Sequence, residues 1–124
     1  MNELLVGQSV LIIGAAGLLG TKVTRHALEQ GAKVMAVDLS VDDLQARLSK
    51  EGVDVTNPNL ACYNLDITVE DDVIRFFQSG IEITGAVNCA YPRNKTYGTH
   101  FLDVNVSSFN ENLSLHLGSA FLFT

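Results

Sequence analysis

Gly14-Ala-Ala-Gly17-Leu-Leu-Gly20 is the stretch whose residue types and spacing point most directly to chemistry. An apolar run precedes it and an amphipathic run follows. Gly14 can supply a tight turn, Gly17 lets backbone approach a pyrophosphate with no Cβ in the way, and Gly20 lets a helix pack closely on a strand. The free N–H groups of that helix and the positive end of its dipole would then face the phosphates. Candidate contacts in this loop are Gly14, Ala16, Gly17, Leu18, Leu19 and Gly20. Three glycines also suit a close-packed turn without a ligand. The acid that follows raises the case for a dinucleotide. It is Asp38, 18 residues after Gly20 and next to Leu39, a further candidate contact. A carboxylate there can accept hydrogen bonds from both hydroxyls of an adenosine ribose, and it would repel a 2′-phosphate. No Arg or Lys stands at Ala15, Ala16, Leu39 or Ser40 to receive one, so NAD is favoured over NADP. Lys22 comes two residues after Gly20, which is not the G-x-x-x-x-G-K-[ST] spacing of a P-loop.

The elements that must position these residues are legible as alternating patterns. Ser9 to Ile13 reads as a buried strand, and Leu18 to Gln30 as a helix closed by Gly31. Lys33 to Val37 is a second strand ending at Asp38. Ser40 can cap a helix to about Lys50, with Asp43 at its N3 position. A turn-rich loop leads to a third strand, Leu60 to Asn64, which ends at Asp66. Thr68 and Asp71 are expected to open a third helix that stops at Ser79-Gly80. Gly85 to Ala90 is a fourth strand, and a polar loop runs from Tyr91 to about Ser107. Ser108-Phe-Asn-Glu111 has capping-box spacing and is expected to open the last helix, with Leu113, Leu117 and Phe121 down one side. Such alternation implies an α/β, Rossmann-type three-layer fold. Its parallel sheet would have about four strands in the order 3-2-1-4, with helices on both faces. Near-continuous apolar strands imply burial on both faces of the sheet. The last helix ends in Phe121-Leu-Phe-Thr124 without a Gly, Pro or basic last turn. The expectation is one dinucleotide-binding domain, 1–124, forming the N-terminal part of a longer protein.

Composition sets the outer bounds. A chain of 124 residues, 47% apolar and 18% charged, suits one globular domain. A net charge of −6 argues against nucleic acid or an anionic membrane as partner. The uncharged run from Leu4 to Thr21 contains Gln8, Ser9 and four glycines and has no Lys or Arg before it, so neither a span nor a signal peptide is expected. Cys62 and Cys89 are too few for a disulfide framework and lack metal-ligand spacing, and reduced, cytoplasmic thiols are expected. In a 3-2-1-4 sheet their strands lie ~14 Å apart, beyond disulfide reach.

Several motifs occur together in a family order: Gly14-x-x-Gly17-x-x-Gly20, Asp38, Leu65-Asp66-Ile67, Asn88-Cys-Ala90 and Leu115-His-Leu-Gly-Ser-Ala-Phe121. Over nearly its whole length the chain resembles the N-terminal half of a short-chain dehydrogenase/reductase. The resemblance implies an NAD-dependent oxidoreductase passing a hydride between nicotinamide and the hydroxyl or keto carbon of a small-molecule substrate, and a homo-oligomer in full-length form. It implies that Asp66 and the backbone of Ile67 hold the adenine edge, and that Asn88, Cys89 and Ala90 lie along the cofactor. On residue chemistry alone, Asp66 reads equally as a helix-entry residue, Asn88 as a strand terminator and Cys89 as small buried packing.

The departures from the family pattern are informative. The glycine spacing looks like the family's extended branch, whereas the other main branch uses G-x-x-x-G-x-G. Asn88-Cys-Ala nevertheless looks like that other branch's Asn-Asn-Ala-Gly, with Cys89 and Tyr91 at its second and fourth places. Ile13 stands where Thr is usual. His116 stands where a helix Asn helps relay protons, which makes it the one candidate relay position. The segment from His116 to Ser119 looks most like a branch linked to surface-polysaccharide or flagellin-glycan synthesis. The family's catalytic Ser and Tyr-x-x-x-Lys are expected beyond Thr124, so the segment alone is expected to be inactive. Tyr91 and Lys95 have the same spacing, but Pro92 disfavours helical geometry at the tyrosine, leaving Tyr91 and Arg93 open to substrate contact. His116 is open between stacking near the nicotinamide and plain packing. The alternative function is a non-catalytic nucleotide-binding or regulatory module. A flavodoxin-like receiver or FMN domain explains the glycine loop plus Asp38 less well.

Overall fold

A computed structural model describes residues 3–124. Four strands, β1 (Ser9–Ile13), β2 (Lys33–Asp38), β3 (Leu60–Asn64) and β4 (Gly85–Asn88), form one parallel sheet in the order β3-β2-β1-β4. This is the 3-2-1-4 order that the alternating pattern implies. Ile13 lies level with Val37 on one side and with Asn88 on the other. The chain therefore leaves β1, β2 and β4 at one edge of the sheet, bringing Gly14, Asp38 and Cys89 together. In open parallel sheets ligands bind in the crevice at this carboxyl edge.

Side chains of β1 alternate between two cores. Ile12 faces α1 (Leu18–Glu29) and α2 (Val41–Lys50), where it joins Ala27, Val34, Ala36, Leu44 and Leu48. Leu11 and Ile13 face the other way, onto Met35, Val37, Leu65, Ile67 and Val73. Val73 comes from α3 (Glu70–Gln78), and Leu122 and Phe123 of α5 (Ser119–Phe123) pack on the same side. Burial on both faces holds for the central pair β1 and β2. The edge strands β3 and β4 are half-buried to exposed, because each has one neighbour. Among the described residues no helix is long and apolar enough to cross a membrane.

Three boundaries differ by two residues or more from the sequence expectation, each because a short polar side chain captures a nearby N–H group. Thr68 does not open α3. Asp66 accepts from the Thr68 N–H at 2.9 Å and from its hydroxyl at 2.6 Å, so the turn continues and α3 begins at Glu70 after Val69. Ser108 does not cap the last helix. Asn105 caps it by accepting from the Ser108 N–H at 2.8 Å, and α4 (Val106–Leu113) starts earlier. The fourth strand stops at Asn88, whose side chain accepts from the Ala90 N–H at 3.0 Å and turns the chain. The last helix is also interrupted by a π-turn, Ser114–Gly118, before α5 continues it. Leu113, Leu117 and Phe121 form an exposed apolar row along it.

Candidate functional site

The glycine loop is held against the ends of β2 and β4. Gly14 adopts φ +73°, and the N–H groups of Gly14 and Ala15 both donate to the Val37 carbonyl, at 3.0 and 3.1 Å. A Cβ on Gly14 would lie 2.6 Å from the Ala90 nitrogen, and one on Gly20 would lie 2.0 Å from the Gly14 oxygen. Packing alone therefore demands glycine at these two positions. Gly17 is different. A Cβ there would meet only the Gly14 oxygen, at an ordinary 3.4 Å. Its missing side chain keeps a cleft open without being required for packing.

Gly17 is also the N-cap of α1, and no side chain among the described residues caps that helix. Its first turn carries no acid. By contrast α2 is capped by Ser40 and begins with Asp42 and Asp43, and α3 begins with Glu70, Asp71 and Asp72. Acidic first turns neutralise the partial positive charge at a helix start. In α1 no residue of the first turn neutralises that charge.

Asp38 has a second role that the motif did not reveal. Its Oδ2 accepts from the Ala16 N–H at 2.9 Å and its Oδ1 from the Leu39 N–H at 2.8 Å. The carboxylate thus clamps the glycine loop to the end of β2. Each carboxylate oxygen has two acceptor sites, so one on each is still available to a ribose hydroxyl.

These elements enclose a cleft of about 260 Å³. Of the sequence candidates, Gly14, Gly17, Asp38, Leu39, Asp66, Cys89 and Ala90 line it. Ile13, Leu65, Tyr91 and Pro92 complete the wall, and no Lys or Arg takes part. The remaining candidates lie elsewhere. Ala16 is buried with its N–H given to Asp38, and Gly20 is packed on Gly14. Leu18 and Leu19 project into solvent from the first turn of α1. Ile67 belongs to the core, and the Asn88 side chain turns the backbone at the end of β4. Asp66 spends one oxygen on Thr68. Both cysteines are free, and burial pushes their thiols above the usual value. Among the described residues no group of His, Cys, Asp and Glu is arranged to hold a metal.

His116 lies outside this cleft, on the wall of a second cavity of about 330 Å³ between α4 and the loop before it. Its ring stacks on Tyr91 at 4.1 Å, with 27° between the planes. Its Nε2 is buried without a hydrogen-bond partner among the described residues. Tyr91 therefore has the cleft on one side and His116 on the other. The Tyr91 hydroxyl pairs with that of Tyr97 at 2.7 Å, and this bond, with some burial, raises the Tyr91 pKa above its usual value. Tyr97 was invisible to pattern reading, since a lone aromatic in a polar loop has no period to mark it. Residues 91–95 are irregular, so Tyr91 and Lys95 do not share a helix face.

A parallel sheet with helical crossovers, a glycine turn between its first strand and helix, and an acid ending its second strand define a dinucleotide-binding domain of the Rossmann type. Residues 10–114 match the NAD dependent epimerase/dehydratase family, and the chain belongs to that family. The resemblance to the N-terminal half of a short-chain dehydrogenase/reductase is borne out by its relatives. The chain is 32% identical to zerumbone synthase of Zingiber zerumbet over 108 residues, covering 86% of this chain and 39% of that protein. It therefore spans about two fifths of that relative's length. Its fold is shared with a short chain dehydrogenase of Leptospira borgpetersenii solved with bound NAD+ (TM-score 0.73, 24% identity, 96% of this chain and 44% of that one). It is shared also with RhlG of Pseudomonas aeruginosa, solved as an NADP active-site complex (TM-score 0.77, 19% identity, 95% and 45%).

Proposed function

We propose that the chain is the NAD-binding part of a short-chain oxidoreductase that acts on the hydroxyl or keto carbon of a small-molecule substrate. The observation that carries this is the junction of Gly17 and α1. There a position that packing leaves free is glycine, beside an uncapped helix start, in a cleft that contains Asp38. The dinucleotide, when bound, supplies the two-electron oxidant or reductant. The chain's own residues bind and orient it. Backbone N–H groups at the start of α1 hold phosphate oxygens, and Asp38 accepts from the adenosine ribose. Asp66 and the backbone of Ile67 serve the adenine edge, while Asn88, Cys89 and Ala90 border the cofactor at the end of β4.

Two acids and no base in the cleft wall support NAD over NADP, because a 2′-phosphate beside Asp38 would meet like charge with no cation to offset it. The acid/base pair of the reaction is supplied by some other part of the protein, since Tyr91 and Lys95 share no helix face. Residues 3–124 alone should therefore bind cofactor without turnover. The exposed row of Leu113, Leu117 and Phe121 supports self-association of the whole protein.

Calorimetric comparison of NADH and NADPH tests the preference. NADH should bind at least about tenfold more tightly, and Asp38→Ala should weaken NADH binding by a similar factor, the scale of one charge-assisted hydrogen bond. Equal affinities, or tighter NADPH binding, would contradict the assignment to NAD.

A further inference from the structure

The loop after β4 walls two clefts at once. Tyr91 and Pro92 line the dinucleotide cleft. The next residues, Arg93 to Thr96, line a broader polar cleft of about 490 Å³ whose other wall is the start of α4. Pro92 and Arg93 are consecutive, so the two clefts are walled by adjoining stretches of one loop.

The charge on this loop runs against the rest of the chain. The molecule carries −6, yet no carboxylate side chain occurs between Glu82 and Asp103, a stretch that contains Arg93 and Lys95. Lys22, Arg25, Arg47 and Arg75 each pair with a carboxylate, whereas Lys33 and Lys50, like the two loop cations, pair with none among the described residues. Among the described residues Arg93 and Lys95 pair with none, although Glu111 lines the same cleft. The loop is also held in place. Asn94, between the two cations, donates its N–H to the Asn112 side chain at 2.9 Å and accepts from that side chain at 3.0 Å. Its own amide donates to the Ser108 hydroxyl at 3.1 Å. The Arg93 guanidinium lies 5.8 Å from the centre of the Tyr97 ring, within cation–π range. On the facing wall, the Ser107 hydroxyl makes no hydrogen bond among the described residues and is available as a donor. An arginine and a lysine lining one cleft supply the residue types that hold an oxyanion.

We propose that the Arg93–Lys95 cleft is an anion subsite, taking the carboxylate or phosphate group of the substrate whose reacting carbon is presented to the neighbouring cleft. This rests on the dinucleotide reading of that neighbouring cleft. It narrows the substrate class to acidic alcohols and ketones, and to phosphorylated ones if phosphate is the better fit.

Amide NMR of the 124-residue chain tests it, with separate titrations of inorganic phosphate, succinate and NADH at constant ionic strength. At least one of the two oxyanions should shift the amides of Arg93 to Thr96 and Ser107 saturably. Its apparent Kd should rise about tenfold in Arg93→Gln/Lys95→Gln, and by less in Lys95→Gln alone, while NADH still shifts Gly17 to Leu19 in each variant. Saturation by phosphate alone marks a phosphorylated substrate, and by succinate alone a carboxylate. The subsite is overturned if neither anion moves these amides, if phosphate moves only Gly17 to Leu19, or if the variants bind as tightly as the parent chain. If an oxyanion binds at Arg93 but NADH leaves Gly17 to Leu19 unmoved, the dinucleotide reading fails, and the substrate role fails with it. Both side chains are exposed, so the variants should fold, which circular dichroism checks.

Discussion

Gly17 and Gly20 look alike in the sequence and do opposite work. Gly20→Ala pushes a methyl into the Gly14 carbonyl and should cost about 1–3 kcal/mol through overpacking. Gly17→Ala meets nothing closer than an ordinary contact and should cost about 1 kcal/mol or less as a changed N-cap. Thermal unfolding reads the difference, at roughly 4 °C per kcal/mol for a domain of this size. Equal losses would mean that Gly17 also serves packing. Cys89 offers a second probe at this scale. It lines the cleft, whereas Cys62 sits on β3 away from it. With their thiols raised by burial, both should alkylate slowly at neutral pH, because the thiolate is the reactive form. NADH should slow Cys89 several-fold further and leave Cys62 unchanged, as peptide mass spectrometry of iodoacetamide-treated chain would show. Protection of neither cysteine, or of both equally, would place the ligand elsewhere.

At the scale of elements, the start of α1 is the feature that sets stability against binding. Leu18 is 89% exposed in the first turn, so Leu18→Glu buries nothing and breaks no contact. A carboxylate there complements the helix dipole and should stabilise the chain by about 0.3–1 kcal/mol. The same charge should repel the pyrophosphate and weaken NADH binding. Denaturant unfolding and a binding titration on the one variant measure both signs. A variant that binds NADH as well as the parent would show that phosphates do not sit at this helix start.

Elements were readable where apolar residues dictated them. Apolar runs marked β1 and β2 because burial leaves those residues few alternatives. Boundaries set by short polar side chains were harder to place. Asp54, Asp66 and Asn94 each accept from the N–H and hydroxyl of a Thr two residues on, and Asn88 takes the N–H of Ala90. These turns compete with helix and strand, which is why Thr68 failed to open α3 and β4 ended early. The Asx-x-Thr spacing was there to be read. At α4 two caps competed. Asn105 took the N–H of Ser108, and the Ser108 side chain turned instead to Asn94 and Thr96.

Across the whole molecule, the sheet order and the level ends of β1, β2 and β4 convert distant motifs into one cleft. Gly14, Asp38, Asp66 and Cys89, far apart in the chain, meet there because the crossovers return every strand in the same direction. Sequence reading found these residues through spacing and element ends. It could not find the Tyr91–His116 stack or the Asn94–Asn112 pair, since both join an irregular loop to a helix and leave no periodic trace. The clamp from Asp38 to Ala16 escaped for a similar reason, being a backbone contact independent of the side chain at position 16.

The proposed role of this cleft is to hold a dinucleotide at Gly17. The most direct test is calorimetric titration of NADH into the parent chain and into Gly17→Val, with circular dichroism confirming that both are folded. The parent should bind one equivalent, and the folded variant should lose at least about tenfold in affinity, because its side chain fills space that only the ligand uses. A folded parent that binds no NADH, or a folded Gly17→Val that binds it equally well, would show that the cleft does not hold a dinucleotide at Gly17.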